Sequence, residues 1–269
     1  MTAARLAHRW DTVRGLRMRS LVVGDPEAPV VVLVHGLGLA SESLADMADA
    51  LAPEFRVYVP DLPGFGASDH PPRALSIRGL ADALDRWCET VGLSDAVIVG
   101  NSYGAQVVAE LAAREAEEQR EKRRARAIAL LGPTCEPGSR TLTGQIGRWA
   151  ANSGGDEGGG NPTELIGPYL KAGVRRTVKT AWSATRHRIE DRLPVVDVPA
   201  LIVGGELDEI SPPAWTEHLA GLLAEGERRI VKGGAHSMHG SHPAHLAHVV
   251  RLFIRDRVGA SGHGISAAG

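Results

Sequence analysis

Six short apolar runs restrict this chain to few architectures. They read VVVLV at 30–34, RVYV at 56–59, AVIV at 96–99, AIALL at 127–131 and ALIV at 200–203, with a weaker RIV at 229–231. Each is too short for a helix and rich in β-branched residues. None alternates with polar residues, so both faces are expected to be buried, as in a parallel sheet covered by helices. Helical periodicity fills the gaps between them. It spans 43–52, stopped by Pro53, and 77–91, with Leu80, Leu84 and Trp87 on one face. Further helical stretches run from 103 to about 118, over 213–223 and over 242–255. Strand alternating with helix implies an α/β fold with a mostly parallel central sheet. Residues 8–23 read as two strands around Arg14-Gly15, an antiparallel edge hairpin.

One stretch breaks this rhythm. No buried-type strand occurs from 134 to about 192, where glycines at 154–155 and 158–160 precede a helix-like part over 163–188. It is expected to be an inserted helical cap, 134–190, on a core of 1–133 and 191–269, with the glycine run as a mobile loop. The charged 115–126 segment reads as the solvated end of a helix and its turn. The small, polar tail 258–269 is expected to be disordered.

Gly100-Asn101-Ser102-Tyr103-Gly104 fits the G-x-S-x-G pattern of a nucleophile on a sharp strand-to-helix turn. A buried-type strand runs into it and a helical pattern runs out. Flanking glycines leave room where a Cβ would collide with a neighbouring element. A serine hydroxyl needs a base, and that base needs an orienting acid. Asp208 follows the 200–203 run and His236 follows the 229–231 run, both at strand ends where open α/β sheets gather their sites. Glu206 and Glu209 compete with Asp208, and His239 and His242 with His236. The order Ser, Asp, His is that of the α/β-hydrolase arrangement. His35-Gly36-Leu37-Gly38 follows the 30–34 run. The N–H groups of Leu37 and Tyr103 are the expected oxyanion donors. Around the pocket are placed His35, which is expected first to brace its own loop, Trp182 from the cap, which also suits ordinary packing, and Cys135, which reads first as a small buried residue. Trp149 and Tyr169 offer further aromatic surface in the cap.

The segments HGLG at 35–38, DLPGFGAS at 61–68, GNSYG at 100–104, GGELDEISPP at 204–213 and GGAHSMHGSHP at 233–243 resemble the α/β-hydrolase fold family. They are most similar to its capped bacterial branch of esterases, C–C bond hydrolases and cofactor-free haloperoxidases. The likeness covers roughly 20–133 and 191–256. It implies Asp208 rather than Glu206 as acid and His236 as base. Epoxide hydrolases and haloalkane dehalogenases of this family carry Asp where this chain has Ser102, which argues against those chemistries. C–C hydrolases often carry Met where this chain has Tyr103, but only the backbone N–H is required there. The expected activity is hydrolysis of a small ester, thioester or lactone through acyl-Ser102. Cleavage of a β-diketone-like C–C bond, or acyl transfer or cyclisation on the same scaffold, are the alternatives.

Composition narrows the partners. The formal net charge of −2 gives no reason to expect nucleic acid or an anionic membrane. No run approaches the ~18 apolar residues of a membrane helix. Cys88 and Cys135 make neither a disulfide framework nor a C-x-x-C motif, so a reducing, cytoplasmic setting is expected. No metal or cofactor is expected. His236 of the 236/239/242 series is already engaged, and Gly64-Phe65-Gly66 lacks the third glycine of a dinucleotide loop.

Overall fold

A computed structural model describes residues 6–153 and 173–258 of the chain. The glycine run, Tyr169 and the tail from 259 lie outside the described residues. Eight strands form one sheet: β1 (Ala7–Val13), β2 (Leu16–Val23), β3 (Val30–Val34), β4 (Arg56–Pro60), β5 (Ala96–Asn101), β6 (Ala125–Leu131), β7 (Ala200–Gly205) and β8 (Gly226–Val231). Their order is β1-β2-β4-β3-β5-β6-β7-β8. β2 runs against both β1 and β4, and every pair from β4 onward is parallel. The edge hairpin turns at Arg14 and Gly15, both with positive φ, which matches the twist of paired antiparallel strands.

The α-helices among the described residues are α1 (Ala45–Leu51), α2 (Ile77–Val91), α3 (Tyr103–Glu117), α4 (Leu142–Ser153), α5 (Val174–Arg186), α6 (Ile189–Arg192), α7 (Pro213–Gly221), α8 (Met238–Ser241) and α9 (Pro243–Phe253). They cover both faces of the sheet. Val32, Val34 and Ile98 pack with Leu80, Leu84 and Trp87 of α2 and with Val107, Val108 and Leu111 of α3. Val31, Leu33, Val97 and Val99 pack on the opposite face with Met47 and Leu51 of α1 and with Leu246, Val250 and Phe253 of α9. Successive strand residues thus enter opposite halves of the core, which is why these runs show no polar alternation.

Two segments differ from the sequence reading. Glu115, expected at a solvated helix end, is buried and accepts hydrogen bonds from the N–H groups of Arg124 (2.7 Å) and Ala125 (3.2 Å). It ties the end of α3 to the start of β6, while burial raises its carboxyl pKa. The second difference is α4, which sequence periodicity did not disclose. Gly144 and Gly147 lower its intrinsic helix propensity. Together α4, α5 and α6 occupy the chain between β6 and β7.

The topology selects one edge for chemistry. From β3 the chain moves to β4 on one side, then returns to β5 on the other. Strand order therefore reverses beside the carboxyl ends of β3 and β5, where the crevice of an open α/β sheet lies. Gly104 lets α3 start there in contact with β3. A Cβ on Gly104 would stand 2.4 Å from the Val34 carbonyl oxygen and 2.7 Å from that of His35. Gly104→Ala must push helix and strand apart, at a cost of about 1–3 kcal/mol. The expected result is a lower urea midpoint with an unchanged m-value.

Candidate active site

Ser102 occupies the turn between β5 and α3, with φ 56° and ψ −115°. Such a conformation costs a non-glycine residue on the order of 1–3 kcal/mol and persists only where neighbours enforce it. The neighbours here are close. The Ser102 N–H donates to the Leu131 carbonyl at 2.7 Å, and the Ser102 carbonyl accepts from the Ala105 N–H at 3.0 Å. A Cβ on Gly100 would stand 2.5 Å from the Gly104 carbonyl oxygen. The side chain is thereby lifted off the sheet edge toward the loops that follow β7 and β8.

Those loops supply its partners. Ser102 Oγ lies 2.8 Å from His236 Nε2, and His236 Nδ1 lies 2.9 Å from Asp208 Oδ2. The Asp208 side chain is fully buried. Its other oxygen accepts from the N–H groups of Ile210 (2.8 Å) and Ser211 (2.7 Å), which fixes the carboxylate plane. A carboxylate can only accept, so it selects the tautomer protonated at Nδ1 and leaves Nε2 free to accept from the serine hydroxyl. Glu206, the rival acid, instead accepts from the Gly233 N–H at 2.9 Å. Among the rival histidines, His242 Nδ1 pairs with Ser241 Oγ at 2.8 Å. His239 is held neutral, its pKa lowered to about 4 by burial first and by His236 second.

Residues to which the sequence assigned no role surround this relay. Gly132, with φ 54°, ends β6 beneath it. A Cβ there would stand 3.3 Å from both Asp208 Oδ2 and His236 Nδ1. The Pro133 carbonyl accepts from Ser211 Oγ (2.8 Å) and Trp215 Nε1 (3.0 Å), clamping the Asp208 loop to the β6 end. Asp61 is fully buried and joins the two loops on the other side. It accepts from the Ser41 N–H (2.7 Å), the Ala67 N–H (2.8 Å) and Arg19 Nε (2.8 Å). Each is an ordinary surface-type residue in the sequence. Only their long-range partners reveal the role.

The 35–38 loop packs on the serine. A Cβ on Gly36 would stand 3.5 Å from Ser102 Cβ. Leu37 follows directly, and Tyr103 is the first residue of α3, whose leading N–H groups have no partner within the helix. Gly36, which precedes Leu37, is thus packed on Ser102, and Tyr103 follows Ser102 in the chain. The three expected pocket side chains do not gather there. His35 is fully buried, donates from Nδ1 to the Gly36 carbonyl (2.8 Å) and accepts at Nε2 from the Leu62 N–H (3.1 Å). It braces two loops and has no nitrogen left for a substrate. Cys135 is buried near Thr134 and Gln106, and burial raises its thiol pKa. It packs as a small buried residue. Trp182 is 48% exposed on α5 with the Arg186 guanidinium 3.6 Å above its ring, so it faces outward. Among the described residues no cluster of His, Cys, Asp and Glu could hold a metal ion, and no helix is long and apolar enough to cross a membrane.

A model of the alpha/beta hydrolase family matches residues 31–248, from β3 to within α9. The chain belongs to that family. It is 34% identical over 90 residues to the magnesium-chelatase 30 kDa subunit of Rhodobacter capsulatus, covering 33% of this chain and 32% of that protein. It is 38% identical over 97 residues to epoxide hydrolase A of Mycobacterium tuberculosis (strain ATCC 25618 / H37Rv), covering 35% and 30%. The matched stretch is thus about a third of the length of these curated relatives. A crystal structure of CarC, a serine hydrolase involved in carbazole degradation, shares the fold with TM-score 0.76 at 22% identity, over 93% of this chain and 99% of that one.

The buried His35 carries a pH dependence. Burial lowers its pKa, because the charged ring would lose its water. The unfolded histidine takes up a proton below about pH 6.5, and the folded ring resists it. This contribution to stability is complete above that pH and is lost as pH falls toward the folded value. One such group loses up to ~1.4 kcal/mol per pH unit. Urea unfolding at a series of pH values should show this acid-side slope, and His35→Gln should make it shallower.

Proposed function

We propose that this protein is a hydrolase that cleaves an ester, thioester or lactone through an acyl-Ser102 intermediate. One observation carries the reading: the continuous relay Ser102 Oγ to His236 Nε2 at 2.8 Å and His236 Nδ1 to Asp208 Oδ2 at 2.9 Å. His236 Nε2 accepts the proton of the Ser102 hydroxyl as Oγ bonds to the substrate carbonyl carbon. The resulting oxyanion is held by the N–H groups of Leu37 and Tyr103. Collapse breaks the bond to the alcohol or thiol, which leaves with the proton from His236. Water then gives a proton to His236 and adds to the acyl carbon; His236 returns that proton to Oγ as the acyl–Oγ bond breaks, which releases the acid and restores the Ser102 hydroxyl. Asp208 keeps the imidazole oriented throughout and stabilises its transient positive charge.

In this reading the helices between β6 and β7 form a cap, 134–190, over a core of 1–133 and 191–269. The cap shields a small acyl substrate from water. The partial similarity to an epoxide hydrolase does not carry over its chemistry. A serine in this position forms an acyl ester, whereas the family's epoxide-opening members use a carboxylate there.

A fluorophosphonate probe should label the wild type at Ser102 and leave Ser102→Ala unlabelled. Asp208→Asn should lower kcat for a short-chain ester about 10⁴-fold, because the amide no longer selects the Nδ1-protonated tautomer. Equal labelling of wild type and Ser102→Ala would overturn the reading.

A further inference from the structure

Helix α5 wears its amphipathicity inside out. Its exposed residues are Val174, Arg175, Val178, Lys179, Trp182 and Arg186. Val174, Val178 and Trp182, spaced four apart, form one outer stripe with 59%, 49% and 48% exposure. The buried side holds Thr180, Ala184 and Thr185. A surface helix ordinarily turns its apolar stripe to the core. Here polar bonds fix the inner side instead. Arg176 Nη2 donates to the Pro71 carbonyl at 2.7 Å, and Ser183 Oγ accepts from the Ile77 N–H at 3.2 Å. Just past the helix, His187 and Arg192 bond the buried Glu110 at 3.0 and 2.9 Å. The outer apolar stripe is therefore held out by its own anchors.

Charge indicates what covers the stripe. The helix holds Arg175, Arg176, Lys179 and Arg186 and no acidic residue, in a chain of net charge −2. Arg175 and Lys179 flank the stripe and make no ion pair among the described residues. Exposed valine and tryptophan bordered by cations are the pattern of a helix lying in an anionic lipid surface. Its 13 residues are too few to cross a bilayer, so it would lie in the plane. The helix is also near the catalytic edge. Arg176 anchors it to the loop after β4, and Arg148 of α4 bonds the Glu209 carbonyl beside Asp208 at 2.6 Å.

We infer that the outer face of α5 docks this protein on anionic lipid surfaces, with Val174, Val178 and Trp182 entering the headgroup boundary and Arg175, Lys179 and Arg186 contacting lipid phosphates. The docking does not depend on the acyl-serine chemistry. Each cation near such a surface adds about 1 kcal/mol, a roughly fivefold gain in partitioning.

The test is co-sedimentation of the full chain with vesicles of phosphatidylcholine alone or mixed with phosphatidylglycerol. The wild type and Ser102→Ala should both bind the mixed vesicles at low salt, more weakly at high salt, and leave neutral vesicles unbound. Val178→Asp and Lys179→Glu should each lower partitioning at least about tenfold while hydrolysis of a soluble short-chain ester and the circular dichroism spectrum stay unchanged. Three results would overturn the inference: no binding to the mixed vesicles, equal binding to neutral ones, or variants that bind like the wild type. Concentration-dependent self-association abolished by Val178→Asp, without vesicle binding, would assign the stripe to a second copy of the chain instead.

Discussion

Everything at the site depends on how closely α3 approaches β3. The contact is backbone against backbone, with Gly104 lying under the Val34 and His35 carbonyls and Gly100 under the first turn of the helix. No side chain fits at either position. That closeness forces Ser102 into a positive φ and holds its hydroxyl above the sheet edge. The same contact brings the 35–38 loop, which leaves β3, against the start of α3. The strained backbone of Ser102 and the approach of the 35–38 loop therefore have one structural cause. The strain at Ser102 is sustained by the two buried faces of the sheet, whose packing sets where β5 and α3 can sit.

The loops after β6, β7 and β8 add the polar half of the arrangement. Asp208 is buried, but each of its oxygens has a donor, so burial orients it without leaving an unmatched charge. Gly132 and the Pro133 carbonyl press the β6 end against this loop and against His236. On the far side Asp61 links the loops after β3 and β4 through Ser41, Ala67 and Arg19. A relay of 2.8 and 2.9 Å bonds is precise because three separate strand ends are tied together around it.

The core elements were legible in the sequence because local pattern and tertiary environment agree. The unbroken apolar runs at 30–34 and 96–99 became strands buried on both faces, and the 77–91 periodicity became α2 without a change of boundary. Ser102, His236 and Asp208 were found through their places after strands in a fixed order. The residues alone left Glu206 and His242 as rivals; the family resemblance disfavoured them, and in the structure each has a different partner. Less was legible where function and local propensity diverge. Glycines hid α4, and Glu115 looked like one more charge in a charged turn. Trp182 was placed at the pocket as an aromatic residue of the cap. On α5 the inward side is instead fixed by polar anchors, and the tryptophan faces out. His35 was expected to brace its own loop, and its bond to the Gly36 carbonyl does so; the roles of Gly132 and Asp61 rest on contacts from distant parts of the chain, which carry no local signal.

In the proposed function Ser102 Oγ is the atom that takes up the acyl group. Rapid acid quench during turnover of a slowly released ester, followed by intact-protein and peptide mass spectrometry, tests that atom directly. The account predicts a mass gain equal to the acyl group, carried by the peptide containing Ser102 and absent from Ser102→Ala. Turnover with no adduct on that peptide, or an adduct that persists in Ser102→Ala, would contradict it.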